Sequence, residues 1–136
     1  MLADVVTRLK DCRELRAVEG IIGLSAVKGV PPATPCAFVF PQAESAAPSA
    51  TFLATDQTVS QTFGVLLILR SAGDLKGAKA ADVIGGWRDA VNGLLAGWQP
   101  PGAETPVEYA GGSLVDIVDD SVWWLLRYRN TFRIWS

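Results

Sequence analysis

The sequence contains no histidine, and this absence limits the chemistry that the chain can perform. Histidine is the side chain that most often acts as a general acid or base near neutral pH, and it is the commonest transition-metal ligand. The two cysteines, Cys12 and Cys36, are too few for a disulfide scaffold or a four-cysteine zinc site. Both fall in apolar patterns and are predicted to be buried thiols, as is typical of a reducing compartment. No metal site and no cofactor are therefore predicted.

An excess of basic residues is also missing. The 12 lysines and arginines are outnumbered by 14 aspartates and glutamates, which gives a formal net charge of -2 at pH 7. A protein that neutralises many phosphates needs a positive surface. Nucleic acid is therefore not expected to be the main partner.

Long hydrophobic runs are absent, and the longest apolar stretches are far shorter than the roughly 20 residues of a membrane span. Asp4 also stands where a signal peptide would carry a basic segment followed by an apolar one. We therefore expect a soluble protein that begins in a cytoplasm and does not bind membranes.

Two patterns resemble catalytic motifs but lack the residues that would complete them. Ser25 and Lys28 match S-x-x-K, in which a lysine activates a serine nucleophile, but the companion S-D-N and K-T-G motifs are missing. Asp116, Asp119 and Asp120 form the densest carboxylate group, and adjacent aspartates are typical of a hairpin turn. The chain is predicted not to be an enzyme, and no catalytic residue is assigned.

Apolar periodicity predicts two helices and four strands. A helical pattern from Leu2 to Leu15 is ended by Gly20, and a second helical pattern runs to Trp98, before a proline pair. The predicted elements are a helix over 2–15, a strand over 36–40 closed by Pro41, a loop over 42–56, a strand over 58–70, a helix over 79–98, and a hairpin of strands 107–118 and 122–135. A turn at 71–74 connects the second of these strands to the second helix.

This order predicts the fold class. We expect one α+β domain over residues 1–136, with a mainly antiparallel sheet and two helices packed on one face. One domain also fits the length, because 136 residues leave no room for a second independent core.

The last strand alternates between an apolar face and an amphipathic face of tryptophan, leucine and arginine. Tryptophan and arginine are the residue types most enriched at protein interface hot spots. The second helix could cover this face, but an oligomer interface is the preferred interpretation. The candidate interface residues on this strand are Trp123, Leu125, Arg127, Arg129, Arg133 and Trp135.

Short segments in a fixed order resemble a known family. They are the run from Pro35 to Pro41, the strand with Gln61 and Val65, the Trp98-Gln99-Pro100 segment, residues 109–114, and the Trp123-Trp124 pair. In this order the chain is similar to the tail terminator proteins of long-tailed bacteriophages, and the resemblance covers most of its length.

The resemblance implies a structural subunit that forms a ring, commonly a hexamer, on the head-proximal end of the tail tube. Such a ring stops tube polymerisation and presents a surface to the neck. The implied partners are further copies of the chain, the tail tube protein and a head or neck connector protein. The implied location is the virion tail, after assembly in the host cytoplasm.

Two further groups of residues are consistent with this ring-forming role. Glu104, Glu108 and Asp116 are expected to meet the arginines of the last strand in a head-to-tail contact between copies. A long loop in a small domain is usually functional or mobile, so loop 42–56 is the candidate for docking onto the tube or neck. Its candidate contact residues are Gln42, Glu44, Ser45, Ser49, Thr51 and Asp56.

Two alternatives to the terminator function remain open. The chain could be another neck or connector subunit of a phage virion. From a different class, it could be a small regulatory domain that binds a ligand between helix and sheet.

Overall fold

The computed structural model describes residues 1–21, 23, 29–70 and 80–136. The motif residues Ser25 and Lys28, the predicted turn at 71–74 and the predicted start of the second helix lie outside these residues. The described elements are helix α1 (Leu2–Leu9), strand β1 (Ala17–Glu19), strand β2 (Cys36–Ala46), strand β3 (Asp56–Arg70), helix α2 (Ala80–Leu95), strand β4 (Glu108–Val118) and strand β5 (Ser121–Trp135).

The five described strands form one sheet in the order β1-β2-β3-β5-β4. The pair β1–β2 is parallel, and the other three pairs are antiparallel. Strand β3 is central, because it pairs with β2 along one side and with all of β5 along the other. The architecture is the α+β fold that the sequence predicts, with a mainly antiparallel sheet.

Both described helices pack on the same face of the sheet. Val5 and Leu9 of α1 and Val91 and Leu95 of α2 are fully buried in a cluster that also contains the apolar residues of β2, β3 and β5 from that face. Tyr128 of β5 lies within this cluster, stacked on Phe63 with 5.6 Å between ring centroids. Its hydroxyl donates a 2.7 Å hydrogen bond to Asn92 Oδ1 of α2, which joins helix and sheet.

The opposite face carries a second, smaller apolar cluster at one end of the sheet. Its buried members come from β2, β3 and β5, and all are at most 8% exposed. They are Cys36, Phe38, Leu66, Ile68 and Leu125. The two predicted thiols, Cys12 and Cys36, are thus both buried. Burial, together with a hydrogen bond to Glu14, raises the pKa of the Cys12 thiol.

The predicted first helix is too long. Helix α1 ends at Leu9, yet Cys12 and Leu15 stay buried because two tight turns keep them on the same side. One turn is closed by a 2.9 Å hydrogen bond from Cys12 N to Leu9 O, and the other by a 3.1 Å hydrogen bond from Leu15 N to Cys12 O. The chain then enters β1, which the sequence did not predict, so Gly20 follows a strand instead of ending a helix.

The predicted end of the 36–40 strand at Pro41 is also wrong. Strand β2 continues to Ala46, with a register shift between Pro41 and Ala43. A proline is tolerated at a bulge or along an unpaired strand side, and β1 pairs with β2 only up to Phe38. The predicted loop 42–56 is therefore shorter, because residues 42–46 belong to β2 and Asp56 begins β3.

The remaining elements agree closely with the predictions. Strand β3 extends the predicted 58–70 strand by two residues, and the β4–β5 hairpin turns at Asp119-Asp120 as expected. Asp119 has φ of 52°, a left-handed conformation that Asp and Asn tolerate better than most residues. Strand β4 contains a register shift between Tyr109 and Gly111, where Gly111 has φ of 127°. Helix α2 ends at Leu95, before the predicted Trp98.

Candidate interaction surface

The face of β5 that carries the arginines is the one turned away from α1 and α2. Its neighbours on the helix-facing side, Leu126 and Tyr128, are fully buried beneath the helices. Side chains alternate along a strand, so Arg127, Arg129 and Arg133 point to the other side. The two described helices therefore do not cover this face.

The predicted interface residues of β5 divide into two groups. Leu125 is 8% exposed and Trp123 packs beside it, so both belong to the second apolar cluster of the chain itself. The indole of Trp123 also donates a 3.0 Å hydrogen bond to Ser121 Oγ. Towards the end of the strand the side chains open to solvent, and Trp135 is 67% exposed. We call this second group, Arg127, Arg129, Arg133 and Trp135, the open group. Of the predicted interface residues on β5, only the open group is available to another molecule without rearrangement.

The arginines of this open group already have partners within the chain. Arg129 Nε donates to Glu108 Oε2 at 3.1 Å, across the β4–β5 pair. Arg133 donates two hydrogen bonds to the carboxylate of Asp56, at 2.5 and 2.6 Å. These bonds hold the pKa of Asp56 below its ordinary value. The Arg133 guanidinium also lies 5.3 Å from the ring of Trp135.

The predicted acidic group therefore lies on the same sheet face as the arginines, next to them. Glu108 faces Arg129 in register, and Asp116 faces Trp123. Arg127 Nη1 donates to the Ser113 hydroxyl at 2.9 Å. The result is a network of short polar contacts within one copy. Exposed ion pairs of this kind contribute little to stability, and they can exchange partners when another surface arrives.

Beyond the helix-covered core, the sheet continues as a narrow extension, which we define as residues 42–60 and 131–136. All residues from 42 to 55 are exposed. The predicted contact residues Gln42, Glu44 and Ser45 lie on β2 here, where Glu44 pairs with Gln61 and Ser45 with Ser60. The extension is held on its other side by β5, in which Trp135 pairs with Asp56.

The connection 47–55 at the end of the extension is tied together by hydrogen bonds. Ser49 Oγ is placed 3.0 Å from each of Thr51 O and Ala54 O, and it accepts a 3.0 Å bond from the backbone N–H of Asp56. Thr51 Oγ1 accepts a bond from Leu53 N at 3.2 Å. Thr55 and Ser136 are joined by two further bonds, of 3.0 and 3.2 Å. Ser49 and Thr51, predicted as docking residues, thus shape this connection.

The most exposed large apolar side chains lie at this end and were missed in the sequence. Phe52 is 109% exposed and Leu53 is 97% exposed, and we call this pair the tip. The sequence held one signal for them. Phe52 and Leu53 are two large apolar residues in a segment of alanine, serine, threonine and proline, and no other large apolar residue in that segment accompanies them at helix or strand spacing. Adjacent exposed apolar side chains of this size mark a candidate site for contact with another molecule.

A groove of about 540 Å³ lies on the helix side, near the sheet edge formed by β1 and β2. Its walls are apolar, and Ile21 on its rim is 53% exposed. Among the described lining residues, the hydroxyl of Thr7 donates a 3.0 Å bond to Ala3 O. The groove is lined by Leu2, Ala3, Val6, Thr7, Gly20, Ile21, Gly23, Val39 and Pro41.

The described residues contain neither a metal-binding cluster nor a membrane-spanning helix. Within ranges 1–21, 29–70 and 80–136 and at Gly23, no three or more Cys, Asp or Glu residues are grouped so that they could hold a metal ion. None of the helices described in the structure has the length and apolar character required to cross a membrane.

The fold and these surfaces define an α+β protein whose prominent exposed features suit contact with other protein chains. The chain belongs to the phage tail terminator protein family, whose model matches residues 2–136. Among solved structures, it is similar to a chain of the virion of a native gene transfer agent particle, with 17% identity and a TM-score of 0.57. That likeness covers 96% of this chain and 92% of the other, and it supports the fold. A search of curated proteins finds no match.

Proposed function

We propose that this protein caps the head-proximal end of a phage tail tube as a ring, which ends tube polymerisation and provides the surface for joining the head. The family model, which matches residues 2–136, carries the proposal. The chain then acts as a structural protein of the virion tail, without catalysis, and is assembled in the host cytoplasm. Its partners are further copies of itself, commonly six in a ring, the tail tube protein and a head or neck connector protein.

The distribution of exposed side chains supports a role in assembly. The protein folds around clusters of fully buried residues, yet it presents Trp135, Phe52 and Leu53 to solvent at one end. Aromatic and arginine side chains on an exposed sheet are typical of surfaces that bind another protein. In this proposal the open group Arg127, Arg129, Arg133 and Trp135 contributes to contacts between copies, together with Glu104, Glu108 and Asp116.

The polar flank of the extension is the proposed contact for the tube or neck protein. Gln42, Glu44 and Ser45 are all exposed, and strand pairing with β3 holds them in place. A preordered segment binds with a smaller entropy cost than a disordered one. Asp56 contributes by fixing Arg133, and Ser49 and Thr51 by shaping the connection.

The regulatory-domain alternative would have to use the apolar groove between α1 and β2, because the central space between the helices and the sheet is filled. Val5, Leu9, Leu67, Val91 and Tyr128 are all 0% exposed there. A neck or connector subunit remains the neighbouring alternative, since the same surfaces would serve it.

The proposal can be tested with purified tail tube protein that polymerises in the presence and absence of this chain. We expect tubes grown with the chain to stop shorter, and to carry an added ring at one end in negative-stain electron microscopy. The variant Trp135→Asp, which places a charge on the open group, should lower capping, whereas Lys10→Glu at the exposed residue that follows α1 should not. Tubes of unchanged length, with the wild-type chain remaining a free monomer, would contradict the proposal.

A further inference from the structure

We propose that the tip of one copy, Phe52 and Leu53, inserts into the apolar groove of a neighbouring copy. This inference rests on the proposed ring, and it names the contact that links one subunit to the next. The two surfaces match in character, because the tip presents two almost fully exposed apolar side chains and the groove offers an apolar lining.

The size of the groove fits this occupant. Pockets that enclose drug-sized ligands measure roughly 300–1,000 Å³, and one Phe and one Leu side chain together are smaller than such a ligand. The groove volume of about 540 Å³ is therefore sufficient for both. The side chains of the tip carry no polar group, and the groove hydroxyl of Thr7 is already bonded.

The tip cannot reach the groove of its own chain. Pro41 lies at the groove wall, whereas Ala46 lies five residues further along β2, about 15 Å away at the usual strand rise. The tip lies beyond Ala46, and pairing of β2 with β3 and of β3 with β5 holds the extension in the sheet. A tip can therefore enter only the groove of a second molecule.

The symmetry of such a contact favours a ring. Tip and groove are different surfaces, so the contact is head-to-tail, and each copy can give one tip and receive another. Contacts of this type close into a ring when the rotation between copies permits.

The small contact area also predicts when the ring forms. An aromatic side chain buries roughly 150–250 Å², so the tip stays well below the ~1,000 Å² expected of a stable interface. One tip–groove contact is therefore weak between free copies. It becomes effective when a tube end holds several copies close together and raises their local concentration.

Photo-crosslinking from the tip tests the contact directly. The photoreactive residue p-benzoylphenylalanine replaces Phe52 in the full chain, and labelled and unlabelled copies are mixed on purified tail tubes. We expect links between copies that map to residues 2–7 or 20–21. The matched control places the same residue at Leu114, which is also an exposed apolar position at 51% exposure, and should give at least fivefold fewer links to these segments.

A groove variant provides the reciprocal test. Ala3→Glu places a charge at an exposed groove position in the first turn of α1, where an acidic residue is tolerated by the helix. It should reduce the links from position 52 at least tenfold, while Lys10→Glu, which lies outside the groove, should leave them unchanged.

The outcomes separate this inference from the proposed function. Links from position 52 that fall only on tube protein, only on other parts of a second copy, or on no second copy at all overturn the tip–groove contact. If the tubes are nevertheless capped, the proposed function stands. If the wild-type chain does not cap tubes, the proposed function fails whichever links are found.

Discussion

The two halves of strand β3 show how one sheet serves two purposes. From Phe63 to Leu69 every residue is buried, because both faces of the sheet carry apolar clusters there. From Asp56 to Thr62 only Val59 and Gln61 are buried, and the polar residues between them face solvent or the arginines. The strand is continuous and paired with β5 along its whole length. Backbone pairing therefore extends the sheet beyond the core that stabilises it, and the extended part is free for contacts with other molecules.

The largest expected difference between these halves is in stability. Leu67→Ala removes a side chain that is 0% exposed in the main core, and should lower the free energy of unfolding by about 2–5 kcal/mol. Leu53→Ala removes the same atoms from a 97% exposed position and should change it by less than about 0.5 kcal/mol. Urea unfolding followed by circular dichroism measures both. Equal losses would mean that the extension contributes to folding as much as the core does.

A smaller effect is expected at Gly64, where the two halves meet. A Cβ at this position would lie 2.7 Å from Phe40 Cζ and 2.9 Å from Leu125 Cδ1, so Gly64→Ala should cost about 1–3 kcal/mol of stability. Phe40→Leu in the same background should recover part of this loss.

Gly86→Ala on α2 is the matched control for this substitution, because no atom lies within 4 Å of its added Cβ. It should stabilise the protein by up to about 1 kcal/mol through helix propensity. A stabilising effect at both positions would show that the β3 glycine is not needed for close packing.

The smallest expected effect is the pH dependence of the extension. Arg133 lowers the pKa of Asp56 from its ordinary value of 3.8, so the stabilising contribution of Asp56 is present above about pH 4 and is lost as the pH falls through the lowered pKa. The melting temperature of wild type should therefore exceed that of Asp56→Asn at neutral pH, and the two should converge as the pH falls through the lowered pKa of Asp56. A constant difference down to low pH would mean that the Asp56 charge is not the cause.

The sequence predicted the long elements well and the short or polar ones poorly. Strands β3 and β5 carry apolar alternation over many residues, which is a strong signal. Strand β1 has three residues and pairs in parallel only with residues 36–38, so it left no such pattern. The distal part of β2 was missed because its alanines, serines and proline have no apolar alternation, and its pairing with β3 is made by the backbone.

The candidate surface was predicted in part for similar reasons. Alternation along β5 correctly separated the arginine face from the helix-facing side. The partners of these arginines depend on register and on the irregularities of β4, which shift Glu108 opposite Arg129. Burial of Leu125 depends on a second cluster formed from three strands. The tip was missed because nothing local in the sequence distinguishes an exposed Phe52 from a buried one.

The division of the molecule into a buried core and an exposed extension is tested most directly by hydrogen exchange. Exchange is measured by mass spectrometry on the free chain and on the chain bound to capped tail tubes. We expect binding to slow exchange in residues 47–55 and 133–136 and around the groove at 2–7. Residues 63–69 should be equally protected in both states. Protection gained mainly on the exposed side of α2, with the extension exchanging as fast as in the free chain, would contradict this division.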